Sequence, residues 1–213
     1  MHAVHLPKTT GLRWHLRRLV PGGLLLLLLA LSSCLGSSPS APSLQGTDLG
    51  SLPAPTFQLV DQTGATIQLS ELKGHPVVLT FMYTHCPGPC PLLASKLYKA
   101  SQTLGKQAQQ VEWLAVSLDP HGDTPASATQ FVAVHQLQGR LHFLLGTTTQ
   151  LEPVWKAYFQ TVESLPNAQG TGSTLMHSVG VFLLDQQGRE RVYLNDSLNP
   201  QMLAADLHTL LAG

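Results

Sequence analysis

Charged side chains are scarce in this sequence, and those present cancel. They make up 11% of the 213 residues, and twelve lysines and arginines balance twelve aspartates and glutamates. An average soluble protein carries roughly 25% charged residues. The sequence therefore offers no basic face for nucleic acid and no acidic tail. Internal repeats are also absent, and the ten histidines are scattered rather than gathered into a metal-binding tract.

No apolar run is long enough to cross a membrane comfortably, although a short one lies near the N-terminus. Residues 24–31 are all apolar, whereas a spanning helix needs about 20 such residues. Arg13, Arg17 and Arg18 precede this run and small residues follow it, which is the order found in a secretory signal. We therefore expect residues 1–33 to be a signal peptide.

Cysteines are few, and their number is odd for an exported protein: three are present. Residues 31–34 read LSSC directly after the apolar run and resemble the lipobox of a bacterial lipoprotein. On this interpretation Cys34 is lipidated and holds the chain on the extracytoplasmic side of the bacterial cell membrane. Cys86 and Cys90 are then the only thiols of the mature domain. An ordinary signal peptide or an uncleaved anchor is the alternative.

The stretch at 34–56 differs in composition from the rest of the chain. Serine, proline and glycine dominate it, and it has few large apolar side chains. Such a segment cannot bury enough surface to fold. The sequence therefore predicts a tether that links the membrane to a domain at 57–213.

Patterns typical of strands and helices alternate beyond residue 56. Near-continuous apolar runs at 76–83 and 111–118 predict strands that are buried on both faces. Short strands around turns at 61–64 and 185–188 predict two hairpins. Helices are predicted after the cysteine segment, from Thr124-Pro125 to about Gln138, at 150–158 and from Asn199-Pro200 to about Leu211. A short strand is predicted at 141–145. This order predicts an α/β fold with parallel strand pairs.

The segment between the first buried strand and the next helix carries the chemistry. Residues 84–91 read THCPGPCP, which places Cys86 and Cys90 at a strand end and a helix N-terminus. The helix dipole and unpaired N–H groups stabilise thiolates there. One helical turn keeps the two Cα atoms about 6 Å apart, so the pair can close a disulfide or chelate a soft metal. An inert structural disulfide is less favoured, because so short a loop gains little from chain entropy.

Two thiols alone do not select a metal. Structural zinc normally takes four protein ligands, and the sequence has no second cysteine pair. Cu(I) prefers thiolates, accepts imidazole and is commonly bound by three ligands. His177 is the candidate third ligand, with a hydrogen-bonded structural histidine as the alternative interpretation. His85 is the rival by proximity, but it adjoins Cys86 on an extended segment, where neighbouring side chains point to opposite sides.

Residues 57–211 resemble the Sco/SenC family of copper-binding thioredoxin-fold proteins. The resemblance rests on four elements in order: the hairpin at 57–69, the C-x-x-x-C-P element, residues 117–125 (SLDPHGDTP), and His177-Ser178 ahead of the last hairpin. It implies a thioredoxin-like α/β fold with an N-terminal β-hairpin extension. It also implies that the copper ligands are Cys86, Cys90 and His177.

The family is implicated in building the binuclear CuA site of cytochrome c oxidase, by delivering copper, by reducing its cysteines, or both. The resemblance therefore implies a copper-binding assembly factor with a redox-active Cys86–Cys90 pair. Its metal is expected to be Cu(I), with Cu(II) as the alternative, and its partner the CuA-bearing subunit of a terminal oxidase. A metallochaperone is favoured over a thiol–disulfide reductase.

The sequence departs from the family pattern in two places. Gly88-Pro89 stands where an acidic and an aliphatic residue are common, which is expected to stiffen the cysteine turn and to shift redox potential or affinity. His121-Gly122 occupies the middle of the Asp-Pro loop, so His121 is a candidate accessory ligand. Asp119 and Asp123 are predicted to support the ligands and to cap a helix.

A thiol–disulfide oxidoreductase without an obligatory metal is the competing interpretation. Ordinary thioredoxin-like reductases carry C-x-x-C and a cis-proline that faces the pair. Here three residues separate Cys86 from Cys90, and residues 167–184 contain no proline. Both differences favour a metal site. A peroxidase is less favoured still, because that chemistry uses a different loop around a single reactive cysteine.

Overall fold

A computed structural model of the chain describes residues 43–166, 173–176 and 178–213, with side chains described at 43–162 and 178–213. The helices of this part are α1 (Pro89–Leu104), α2 (Pro125–Val134), α3 (Thr148–Ala157) and α4 (Pro200–Ala212). The strands are β1 (Thr47–Asp48), β2 (Gln58–Asp61), β3 (Thr66–Gln68), β4 (Val77–Met82), β5 (Glu112–Ser117), β6 (Leu141–Leu145), β7 (Glu163–Pro166), β8 (Ser173–Met176), β9 (Gly180–Leu184) and β10 (Glu190–Asn195).

Eight strands form one mixed sheet in the order β1-β10-β9-β4-β5-β6-β2-β3. Strands β4, β5 and β6 run parallel, and β9 is antiparallel to β4. All six side chains of β4 are buried, as predicted for an apolar run covered on both faces. The helices between the parallel strands cover the sheet, which confirms the predicted α/β class.

The hairpin of β2 and β3 extends the sheet at the β6 end, because β2 pairs antiparallel with β6. Its turn is held by the buried carboxylate of Asp61, which accepts hydrogen bonds from the backbone N–H groups of Thr63 (2.8 Å) and Ala65 (2.9 Å). Gly64 has a φ of 89°, a conformation that glycine adopts without a Cβ penalty. This hairpin is the predicted N-terminal extension.

The helix predicted from Thr124 to about Gln138 ends at Val134 in the structure. Gln136 adopts a φ of 58°, so the chain turns sharply after the last helical residue. This turn lets Leu137 point inward, where its side chain is fully buried. Burial of Leu137 therefore ends the helix earlier than the residue pattern suggests.

Part of the stretch assigned to a tether packs on the domain. The two residues of β1 pair with β10, and Ala54 is buried. The backbone N–H of Gln45 donates to Oδ1 of Asp206 on α4 at 2.8 Å. Folded structure therefore begins before Phe57. The pairing of β1 also covers backbone groups of β10 that would otherwise be exposed as an edge strand.

Two further observations complete the fold. Strands β7 and β8, which the residue pattern did not predict, pair with each other in a separate two-stranded sheet. No helix in the described part of the chain has the length and apolar character needed to cross a membrane. The predicted signal peptide at 1–33 and Cys34 lie outside the described residues.

Candidate metal and thiol-redox site

The site forms where two parallel strands end side by side. Met82, the last residue of β4, pairs with Ser117, the last residue of β5. The loop that carries Cys86 and the Asp-Pro loop therefore leave the same edge of the sheet. Loops at the carboxyl ends of parallel strands are the usual place for functional residues in α/β proteins.

Both cysteines are buried directly beside each other at this edge. Cys86 lies in the loop and is 5% exposed, and Cys90 lies in the first turn of α1 and is 1% exposed. Both are thiols rather than a disulfide. The backbone N–H of Cys90 donates to Sγ of Cys86 at 3.4 Å. Pro89 starts the helix where its missing N–H costs nothing, so the backbone that joins the two thiols is stiff.

The electrostatics at Cys90 differ from the expectation. The pKa of the Cys90 thiol is raised, first by its hydrogen bond with the side chain of Cys86 and then by burial. The nearby charge of Asp123 acts in the same direction. The predicted stabilisation of a thiolate at the helix N-terminus is therefore outweighed at Cys90. A cation that binds both sulfurs would supply the missing compensation.

Asp123 supports the cysteine loop through hydrogen bonds to Thr84 and Ser117. Its Oδ1 accepts hydrogen bonds from the backbone N–H of Thr84 at 2.8 Å and from the Thr84 hydroxyl at 2.7 Å. Its Oδ2 accepts from the Ser117 hydroxyl at 2.6 Å. Burial raises the pKa of this carboxyl above its usual range, although the three hydrogen bonds oppose the shift. Asp123 thus ties the segment two residues before Cys86 to the end of β5.

Helix α2 is capped by Thr124, the residue at which the sequence predicts the helix to begin. Thr124 is the N-cap of α2, and its Oγ1 accepts from the backbone N–H of Ser127 at 3.1 Å. Asp119 instead closes its own loop, where its Oδ1 accepts from the backbone N–H groups of His121 (3.3 Å) and Gly122 (2.9 Å). Neither aspartate caps a helix, so that part of the prediction is wrong.

Of the other predicted ligands, the structure describes His85 and His121 but not His177. His177 lies outside the described residues, and β8 ends directly before it. His85 is exposed, and its ring nitrogen Nδ1 is 3.0 Å from the Thr84 hydroxyl. His121 is exposed on the Asp-Pro loop. Within the described residues, no group of three or more His, Cys, Asp or Glu side chains could hold a metal ion.

Sequence reasoning did not single out three supporting residues, Thr84, Ser117 and Trp155. Thr84 and Ser117 connect through Asp123, and the indole N–H of Trp155 donates to the carbonyl of Ser117 at 2.8 Å. The first two lie inside the motifs that identified the site, which was the available signal. Trp155 is 38 residues from Ser117, and no local pattern connects them.

The fold and the buried cysteine pair define a class: a thioredoxin-like protein with two thiols around the start of the helix that follows a central strand. The model of the SCO1/SenC family matches residues 46–212. The chain therefore belongs to the SCO1/SenC family.

Individual relatives are distant. SenC of Rhodobacter capsulatus is 26% identical over 148 residues, which cover 70% of this chain and 66% of that protein. The mitochondrial SCO2 homologue of Bos taurus is 28% identical over 134 residues, which cover 62% of this chain and 50% of that protein. The match thus spans between half and two thirds of these two relatives.

Solved structures confirm the thioredoxin-like fold class. ScoI of Bradyrhizobium japonicum with copper bound is 31% identical and superposes with a TM-score of 0.67, covering 75% of this chain and 99% of that one. Apo Sco1 of Thermus thermophilus is 23% identical with a TM-score of 0.68, covering 81% of this chain and 99% of that one.

Proposed function

We propose that this protein is a copper-binding, redox-active factor that assembles the CuA site of a terminal oxidase. The observation that carries the proposal is the buried pair of Cys86, in the loop before α1, and Cys90, in its first turn, in a member of the SCO1/SenC family. Two closely spaced thiols are the donor set that Cu(I) prefers. The ScoI relative with copper bound, and BsSco, which belongs to the Sco family of cytochrome c oxidase assembly proteins, support this assignment.

Copper is the cargo in this proposal, and the ligands are Cys86, Cys90 and His177. Copper binding displaces the thiol protons, because the ligand form of cysteine is the thiolate. Asp123 holds the segment that precedes Cys86 against the end of β5 through its bonds to Thr84 and Ser117. Both thiols are already buried before the metal arrives, so their desolvation is not an added cost of binding.

The same two sulfurs permit redox control. When the thiols of Cys86 and Cys90 join in a disulfide, two electrons and two protons leave, and two of the three copper ligands are lost at once. In thiol–disulfide exchange the partner's disulfide accepts these electrons and becomes a dithiol. BsSco, in which a disulfide switch has been identified, supports this part. A purely reductive role, without obligatory metal, is therefore the second candidate function.

The partner in the proposal is the CuA-bearing subunit, whose cysteines must be reduced before they take copper. The protein would meet it on the extracytoplasmic side of the membrane, held there by lipid on Cys34. A SCO1/SenC family lipoprotein of Bacillus anthracis has the same fold, at 23% identity and a TM-score of 0.66. That lipoprotein supports a membrane association for this chain.

Oxidase assembly in cells tests the proposal. We expect cells that carry Cys86→Ala with Cys90→Ala, or His177→Ala alone, to lose CuA absorbance because the copper site is incomplete. Added copper should restore part of it in both strains. The measurement is the near-infrared CuA band of isolated membranes, normalised to the oxidase haem content.

The two candidate functions predict different results for the His177→Ala strain. A purely reductive factor keeps its function there, because thiol exchange needs no imidazole ligand. Normal CuA absorbance in the double-cysteine strain, without added copper or reductant, contradicts both functions. An exposed histidine on α4, His208, supplies the matched control, and His208→Ala should behave as the parent.

A separate prediction concerns the lipid that is proposed to attach the protein to the membrane. The mature chain should begin at a lipidated Cys34, and Cys34→Ala should release the protein or leave it unprocessed. Two or more acyl chains hold a protein firmly, whereas one binds only marginally. Intact-mass analysis of the membrane fraction measures the modification directly. An unmodified Cys34, or a mature N-terminus at another residue, excludes the lipid anchor.

A further inference from the structure

A pocket of about 260 Å³ opens beside the cysteine loop, between that loop, the first turn of α1 and the length of α2. Two histidines line it from different elements: His85, which directly precedes Cys86, and His135, which follows the last residue of α2. The described residues that line the pocket include no lysine, arginine, aspartate or glutamate. Imidazoles are therefore its only strong metal-binding groups.

The tautomer of His85 is set by a chain of hydrogen bonds. The Thr84 hydroxyl gives its proton to Asp123, so its oxygen acts as an acceptor toward His85. Nδ1 of His85, 3.0 Å from this oxygen, is then the protonated nitrogen. The lone pair lies on Nε2 as a consequence. Orientation of one imidazole nitrogen by a hydrogen bond at the other is the usual arrangement for a metal-binding histidine.

His135 is suited to be the second donor. Its ring tilts against that of Phe131, one turn earlier in α2, with 4.5 Å between the ring centroids. Side chains on a helix lean toward its N-terminus, and that end of α2 holds Ser127, whose hydroxyl is 3.1 Å from Thr84. The His135 ring thus packs against Phe131 within the pocket that His85 also lines. It makes no hydrogen bond with any residue in the described part of the chain, and burial lowers its pKa, which keeps the imidazole neutral.

We propose that His85 and His135 form a second, weaker copper site that receives Cu(I) and passes it to the Cys86–Cys90 pair. The inference rests on the proposed function, because it adds a loading step to the same site. His85 is exposed, so its Nε2 is accessible to an ion that it shares with His135. In the transfer, bonds from copper to two imidazole nitrogens break and bonds to two sulfurs form. The two thiol protons leave to solvent, and the oxidation state of copper does not change.

The test uses the full chain with Cys86→Ser and Cys90→Ser, which removes the tight site. An anaerobic titration with Cu(I), buffered by a competing chelator, should show one bound copper. Its X-ray absorption spectrum should contain nitrogen or oxygen neighbours and no sulfur. Adding His85→Ala or His135→Gln should weaken this binding at least tenfold, whereas His208→Ala should leave it unchanged. Because His85 is exposed, its substitution separates loss of a ligand from any misfolding, which circular dichroism checks for His135→Gln.

Any of three results overturns the inference, and the first two are no copper bound by the double-serine chain and binding that survives the loss of both His85 and His135. Equal weakening by His208→Ala also overturns it, since it shows adventitious binding to surface histidines. The proposed function fails by a different measurement, namely absence of tight copper in the parent chain. With the cysteines present, His135→Gln should keep one tightly bound copper and slow copper loading in stopped-flow mixing.

Discussion

We expect replacement of Cys86 or Cys90 by serine to abolish the tight, stoichiometric Cu(I) binding proposed for this protein. Each substitution removes one of two buried sulfurs and leaves a hydroxyl, which is a poor ligand for a soft metal. The loss should exceed the roughly 10–100-fold that follows removal of a group hydrogen-bonded to a ligand. Titration of the reduced protein against a Cu(I) chelator measures it. Ser101 on α1, equally buried, provides a control: Ser101→Ala should bind copper as the parent does.

The same titration should show weaker binding as the pH falls. The pKa of the Cys90 thiol is raised in the metal-free protein, so copper must displace a firmly held proton there. Lower pH increases the competition from protons, and the apparent affinity therefore decreases in that direction. Affinity that is independent of pH, or a serine variant that binds copper as tightly as the parent, contradicts the thiolate ligand set.

The second large effect is expected from Asp123→Ala. The substitution leaves the Thr84 N–H, the Thr84 hydroxyl and the buried Ser117 hydroxyl without their acceptor. An unsatisfied buried polar group costs about 1–3 kcal/mol, so we expect unfolding free energy to fall by about 2–4 kcal/mol. Urea unfolding of the reduced, metal-free protein measures the change. Copper affinity should fall as well, because the loop that carries Cys86 loses its attachment to β5.

Two further variants, Asp123→Asn and Asp119→Ala, serve as controls for Asp123→Ala. Asp123→Asn keeps an acceptor and avoids burying a charge, so it should lose less stability than Asp123→Ala. Asp119→Ala removes hydrogen bonds only within its own, more exposed loop and should cost about 1 kcal/mol. Equal losses for Asp119→Ala and Asp123→Ala would show that the links to Thr84 and Ser117 contribute no particular stability.

Much of the fold follows from local patterns. The strand predicted at 141–145 has those bounds in the structure, and β4 and β5 lie within the predicted runs at 76–83 and 111–118. Residues covered on both faces are nearly all apolar, so such strands are visible in the sequence. Strands β1, β7 and β8 carry no such run. Strand β1 depends on backbone pairing with the distant β10, and β7 and β8 depend on pairing with each other, which leaves no periodic signal.

The sequence by itself determined which residues can do the chemistry. The spacing of Cys86 and Cys90 requires them to meet, because one helical turn is shorter than the reach of a disulfide or a shared metal. The assignment of His177 as third ligand stays a prediction, because it rests on family resemblance. Gly88 and the prolines around it set the stiffness of the turn through local backbone restrictions alone.

Only the tertiary structure decided how those residues are supported and what protonation they adopt. Asp123 reaches Thr84 across 39 positions, and His85 and His135 line one pocket although they lie on different elements. The raised pKa of Cys90 depends on burial and on a neighbouring sulfur, so the sequence-based expectation of a stabilised thiolate failed there. Desolvation and long-range hydrogen bonds arise when distant segments pack together, and no local pattern of residues records which segments those are.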